Sequence, residues 1–305
     1  MKDLVQRIED QARERGCDVF GVAPIERFEH APDEFHPRIY LSTAKSVVVA
    51  GVKIVRGLTH VQRRQVAYLP YDMFGHAWLG NVAANLIALE VARILEDEGH
   101  LAVPLPATPC EESWTTTEDN EGWVGEQFIA YPPTAVAAGL GELGWHGMLL
   151  SPRYGPRQRL VVVITSAKLP ASPMFEGQLC DPEDCGYRCV EACPVGAIEP
   201  EQGREIQVGD RSYDCGGFEG MRCLWATAGL SPKTCKFAPL ELEVPENLDP
   251  KTYMANKRMF HSLSPGYDKY KFAFSKSAFC ADCLAACCDY LEESGKVENR
   301  FPAES

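Results

Sequence analysis

The sequence predicts an α/β (α+β) chain in two parts, a layered α/β domain over residues 1–170 and a cysteine-rich, ferredoxin-like domain over residues 171–305. Three observations carry this. Through the first part, helix-period apolar patterns alternate with strand-length apolar runs, the pattern of helices packed on a sheet. The second part opens on Cys180-Asp-Pro-Glu-Asp-Cys185-Gly-Tyr-Arg-Cys189-Val-Glu-Ala-Cys193-Pro194. It closes on Cys280-Ala-Asp-Cys283-Leu-Ala-Ala-Cys287-Cys288.

Taken in order, Leu4, Ile8 and Ala12 mark an amphipathic helix that ends at Gly16, and Asp18-Val-Phe-Gly-Val-Ala23 follows as a buried strand. Ser46-Val-Val-Val-Ala-Gly-Val-Lys-Ile54 is a continuous apolar run of strand length, as expected of a strand covered on both faces. Leu79, Ala83, Leu86, Ile87, Val91, Ile94 and Leu95 recur at three- and four-residue steps, which predicts a helix over 73–98 with Gly99 as its stop. Leu101-Ala-Val-Pro-Leu105 and Arg159-Leu-Val-Val-Val-Ile-Thr165 supply two further strands.

Three cysteines followed by Cys-Pro read as a [4Fe–4S] ferredoxin motif, in which closely spaced thiolates wrap one cluster and the fourth turns toward a second. The gaps here are four, three and three residues, so the spacing alone does not say which sulfurs bind. Tetrahedral zinc is the alternative, since Cys pairs two apart also suit it. The continuation Cys193-Pro-Val-Gly-Ala-Ile198 favours iron–sulfur, because that ending belongs to ferredoxin-type sequences.

The bulk properties fit a cofactor protein of the cell interior. At 305 residues and 45% hydrophobic, the chain has room for one large or two modest domains. Thirteen cysteines would suggest disulfides in a secreted chain, but most fall in or near clustered spacings between Cys180 and Cys283, which read as metal ligands. The start, Met1-Lys-Asp-Leu-Val-Gln-Arg-Ile-Glu-Asp, has no apolar export core and no twin arginine, so a cytoplasmic location is expected. No apolar run approaches the ~20 residues that span a bilayer, so no membrane helix is expected. A net charge of −13 argues against nucleic acid or anionic lipid as partner.

Between the last two strands of the first part lies Ala137-Ala-Gly139-Leu-Gly141-Glu-Leu-Gly144-Trp145-His146-Gly147, followed by Tyr154-Gly-Pro-Arg157. Glycines so dense let a backbone turn tightly and approach a large flat ligand or a phosphate, although glycines also punctuate ordinary loops. This segment, a short strand and then two Cys motifs together resemble the cobalamin-dependent iron–sulfur reductases, namely the reductive dehalogenases and the epoxyqueuosine reductases. Asp18-Val-Phe-Gly-Val-Ala23 and Ala44-Lys-Ser-Val-Val-Val49 join the resemblance, which runs loosely to residue 288. There are departures. Trp145-His146 stands where dehalogenases tend to have an arginine, the first Cys motif is stretched, and Cys288 replaces a proline. The carboxylate expected of an epoxyqueuosine reductase is missing at Ala130-Tyr131-Pro132, which counts against tRNA modification.

The resemblance implies a nitroreductase-like layered domain that holds a base-off cobalamin (corrinoid), fed with electrons by a ferredoxin-like domain with two [4Fe–4S] clusters. It implies one cluster on Cys180, Cys185, Cys189 and Cys287. The other takes Cys193, Cys280, Cys283 and a remote Cys preceded by Arg, matched by Arg222-Cys223. Cys17, Cys110, Cys215, Cys235 and Cys288 are left over as small buried hydrophobes, Cys215 and Cys288 being the nearest substitutes. Corrinoid contacts are assigned to Gly139, Gly141, Gly144, Trp145, His146 and Gly147, with His146 either a cobalt ligand, a corrin contact or an ordinary hydrogen-bonding residue. By analogy with the dehalogenase tyrosine, Tyr71 is the candidate proton donor, with Arg63, Arg64 or His146 as the cation beside it; a packed aromatic in a turn is the plainer alternative. Two functions follow: a reductase of a small organic substrate, or an electron-transfer protein that reduces a corrinoid or another partner. The expected donor is a low-potential ferredoxin or flavodoxin, and the oligomeric state is open, a homodimer included.

Overall fold

The computed structural model describes residues 1–63, 70–107, 114–115, 124–125, 129–234, 242–263, 280–299 and 301. Helix α1 (Lys2–Glu14) buries Leu4, Ile8 and Ala12. Strand β1 (Val19–Pro24) and strand β2 (Ser46–Lys53) follow, and then helix α2 (Arg56–Arg63). Two wide π-helical turns, Tyr71–Ala77 and Leu79–Ala84, lead into helix α3 (Asn85–Asp97). Strand β3 (Ala102–Leu105) and a two-residue pair, β4 (Trp114–Thr115) with β5 (Val124–Gly125), come next. Helix α4 (Tyr131–Ala137), the short hairpin β6 (Glu142–Leu143) and β7 (Leu149–Leu150), and strand β8 (Gln158–Thr165) complete the first part.

The four long strands form one sheet in the order β1-β2-β8-β3. Every neighbour is antiparallel, with Val22 opposite Val48, Val48 opposite Val163, and Val103 opposite Ile164. Alternate residues of β2 serve opposite faces, as the two-residue period of a strand requires. Val48 and Ala50 pack with Ile8 of α1 and Ile87, Val91 and Leu95 of α3. Val47 and Val49 pack with Ala135 and Val136 of α4 on the other side. Each valine, leucine or isoleucine among them contributes about 1.5–3 kcal/mol by leaving water.

One expectation changes here. The helical run Tyr71–Asp97 is by length and composition able to cross a membrane, although no such run was expected. In this fold it lies on the sheet, with Leu86 turned outward at 55% exposure and Ile87 at 0%.

The second part begins with helices α5 (Pro182–Cys185) and α6 (Arg188–Glu191). A hairpin of β9 (Ile198–Val208) and β10 (Arg211–Phe218) then returns to the first part, where Val208 and Cys215 join the same core as α4. Helices α7 (Gly220–Thr227), α8 (Pro250–Leu263) and α9 (Asp282–Glu293) follow. A buried ion pair fastens α9 to the sheet: Arg157 meets Glu292 at 3.4 Å, and Arg56 of α2 meets the same carboxylate at 2.9 Å. Arg157 also donates to the Ile54 carbonyl at 3.1 Å, so the Tyr154-Gly-Pro-Arg157 motif acts as the bolt for the Cys-bearing helix.

Candidate iron–sulfur and proton-transfer site

Cys180, Cys185, Cys189 and Cys287 line one enclosed cavity, together with Trp145, His146 and Tyr187. Their positions follow from local chemistry. The Glu142 carboxylate accepts the backbone N–H groups of both Leu179 and Cys180, which anchors the chain as it enters the motif. Asp181 caps α5 by accepting the Asp184 N–H at 3.1 Å. Gly186 and Tyr187 are both left-handed, at φ 64° and 54°, and they fold α6 back so that Cys189 faces the cavity. A tyrosine held there stores roughly 1–2 kcal/mol of strain. Tyr187 meets Trp145 edge-on at 5.2 Å.

The Trp145 backbone N–H donates to Cys180 Sγ at 3.2 Å. Burial pushes the Cys180 thiol up to about 12 and the Cys189 thiol up to about 11. Without a cation these sulfurs keep their protons, and a metal that binds them displaces those protons.

The other four thiols gather around a different point. Cys193, Cys223 and Cys280 pack on Val195, Ala197 and Ala226. Burial raises Cys283 most, and the neighbouring thiols Cys223, Cys193 and Cys189 raise it further. Ala197 N–H donates to Cys193 Sγ at 3.1 Å. Arg222 reaches the Val195 carbonyl at 3.0 Å and ties α7 to the turn after Cys193, which gives the Arg before Cys223 a structural task. Among the described residues no three His, Cys, Asp or Glu side chains converge tightly enough to hold a single metal ion. The first four thiols line a shared cavity instead.

The spare cysteines lie elsewhere. Cys17 donates to the Val19 carbonyl at 2.9 Å, Cys215 is fully buried beside β9, and Cys288 packs with Ile54 and Tyr71. Cys110 and Cys235 lie outside the described residues.

The six residues assigned to a corrinoid have close neighbours within the chain. Gly139, at φ 78°, ends α4: its N–H bonds Val136 and the next N–H bonds Ala135, the helix-ending motif that favours glycine. A Cβ on Gly139 would lie 2.0 Å from the Pro173 carbonyl oxygen, and one on Gly141 1.8 Å from that of Leu150. Gly144 faces the His146 ring, and Gly147 faces Arg204. The Trp145 indole donates to the Glu199 carbonyl at 3.0 Å. His146 is buried, and its surroundings push its pKa down to about 4. The close approaches at Gly139, Gly141 and Gly144 on their Cβ side are therefore to other parts of the chain.

Tyr71 is 2% exposed, packed with Ile54, Ala281, Leu284 and Cys288. Its hydroxyl accepts from the Arg159 guanidinium at 3.3 Å, and Arg159 also donates to the Gly75 carbonyl at 3.0 Å. Burial raises the phenol, Arg159 opposes that rise, and Cys280 and Cys283 add to it. The cation beside Tyr71 is thus Arg159, which the sequence showed only as the first residue of a strand. His146 instead lines the first thiol cavity, and Arg64 lies outside the described residues.

No family model matches the chain. In sequence it is similar to tetrachloroethene reductive dehalogenases of Desulfitobacterium hafniense and Dehalobacter restrictus, each 33% identical over 118 residues, or 34% of this chain and 20% of theirs. The match takes in about a fifth of those relatives' length. Among solved structures it is similar to epoxyqueuosine reductase from Streptococcus thermophilus, at 16% identity and a TM-score of 0.49, over 92% of this chain and 65% of that one. A catabolic reductive dehalogenase is 16% identical with a TM-score of 0.48, over 87% of this chain and 36% of that one. The chain thus resembles the cobalamin- and iron–sulfur-dependent reductases in sequence as well as in its motifs, and its named relatives are oxidoreductases.

Proposed function

We propose that this protein is an iron–sulfur oxidoreductase that reduces a small organic substrate in the manner of a reductive dehalogenase. Cys180, Cys185, Cys189 and Cys287 would hold one [4Fe–4S] cluster and Cys193, Cys223, Cys280 and Cys283 a second, which would supply single electrons at low potential. A low-potential ferredoxin or flavodoxin in the cytoplasm would be the donor. The supporting observation is the gathering of eight thiols, most of them half-buried, into two sets, each with a backbone N–H directed at sulfur.

Tyr71 supplies the proton. Its hydroxyl sits beside the Arg159 guanidinium, which stabilises the phenolate left after transfer. No step of this reading passes through the corrinoid that the resemblance implies. In a second reading, the clusters would pass electrons to a partner that carries the acceptor.

Anaerobic purification decides the first point: about eight iron and eight sulfide per chain are expected on the stoichiometry of two cubanes. Zinc at one or two per chain without visible charge-transfer absorption ends the iron–sulfur reading. Cobalamin titration decides between the two functions. Binding as the base-off form, followed by reduction through the clusters, supports the reductase, whereas intact clusters with no cobalamin bound support electron transfer.

A further inference from the structure

The first thiol cavity contains a hydrogen-bond donor that the protein leaves without an acceptor. His146 lines that cavity and is 6% exposed. Its Nδ1 accepts the Met148 backbone N–H at 3.1 Å. A ring nitrogen that accepts carries no proton, so the proton sits on Nε2. Nε2 is buried and has no hydrogen-bond partner in the protein. Leaving a buried donor unpaired costs about 1–3 kcal/mol, and native folds seldom tolerate it. The ring is also fixed from behind, because a Cβ on Gly144 would stand 2.7 Å from its Cε1. Bare backbone at Gly144 is what seats the imidazole at the cavity wall.

We propose that the His146 Nε2–H group donates a hydrogen bond to sulfur of the iron–sulfur cluster in this cavity and raises its reduction potential. The proposal rests on the reading that the cavity holds such a cluster. Hydrogen bonds to cluster sulfur favour the reduced, more negative state, and they are among the protein's main controls on potential. Trp145 already supplies one such bond from the backbone, to Cys180 Sγ at 3.2 Å. His146 adds a second from the adjacent residue. The Gly144-Trp145-His146 stretch therefore tunes a cluster, and His146 is a positioning and tuning group for electron transfer.

The test uses the full chain, reconstituted anaerobically with iron and sulfide and labelled with 15N-histidine. Iron is counted first, and then each cluster's midpoint potential and the pulsed paramagnetic resonance of the reduced protein are measured. The expected result is a weak labelled-nitrogen coupling in the wild type that disappears in His146→Ala. One midpoint should move to a more negative value while the other stays in place, at unchanged iron content. Gly144→Ala should reproduce the shift by displacing the ring. If His146→Ala leaves both potentials and the labelled-nitrogen signal unchanged, the proposal is overturned. A coupling as strong as that of directly bound nitrogen also overturns it, by making His146 an iron ligand. Should His146→Ala fail to hold iron, the label in the wild type decides alone. Wild type that binds no iron removes the cluster reading and the histidine's role with it, an outcome distinct from the others.

Discussion

The two thiol sets are assembled over different distances along the chain. Three sulfurs of the first, Cys180, Cys185 and Cys189, come from the one segment that enters and forms α5 and α6; Cys287 of α9 joins them, and Glu142, Trp145 and His146 close around them. The second draws Cys193, Cys223, Cys280 and Cys283 from three separate segments, and its frame is the tertiary packing of α7 and α9 on the Cys193 turn. The first set relies on distant packing for only one of its thiols, Cys287. A site built from afar reports whether the fold is intact.

The largest effect should come from removing one thiol of the distant set. Cys223→Ser should cost the second cavity its iron, about half of the total on a two-cubane count. Cys189→Ser should cost the first, and Cys215→Ser neither, as read by iron analysis and by the two paramagnetic signals of the reduced protein. Next in size is Glu292→Gln, which leaves Arg157 buried without its carboxylate. Breaking a buried pair in this way costs about 3–5 kcal/mol, measurable by anaerobic urea unfolding. Because α9 carries sulfurs of both sets, both signals should broaden, but the second should fail first.

Smaller again is Gly141→Ala. Its Cβ would meet the Leu150 carbonyl oxygen at 1.8 Å, and such crowding costs about 1–3 kcal/mol. Gly196→Ala is the control, since φ is 60° there but nothing lies within 4 Å, so only the left-handed penalty of about 1 kcal/mol applies. Equal losses in the two variants would show that the 139–147 backbone is not packed as described. The smallest effect on stability is that of Tyr71→Phe, about 1 kcal/mol for one lost hydrogen bond. Iron content and reduction of the clusters by dithionite should be unchanged while substrate turnover is lost. Turnover that persists would remove Tyr71 from the reaction.

The elements with a clean apolar period were legible in the sequence: Leu4, Ile8 and Ala12 of α1, and the unbroken run of β2, lie where the pattern puts them. The hairpin of β9 and β10 went unread, although Ile206 and Val208 alternate toward Gly209-Asp210, and Tyr213 and Cys215 alternate away from it. Its outward face carries Glu205, Gln207 and Asp214, so the mean polarity hid a signal that the two-residue period holds. The glycines of 139–147 were read as room for a ligand. A glycine reports that something comes close, and only the fold says that the neighbours are Pro173, Leu150 and His146. Arg159 was invisible as a functional group because its partner, Tyr71, lies 88 residues away, a separation that no local pattern spans.

Helix α9 also governs how an electron would cross the molecule. Cys283 belongs to the second thiol set and Cys287, one helical turn later, lines the first cavity, whereas Cys193 lies just past the end of α6, which carries Cys189. Four residues of helix advance about 6 Å, so in α9 the step from one thiol set to the other is set by peptide geometry, independently of any surface loop. With a cluster on each set, the stiffness of α9 would hold the gap between them constant, and a bend in that helix would change how readily an electron passes.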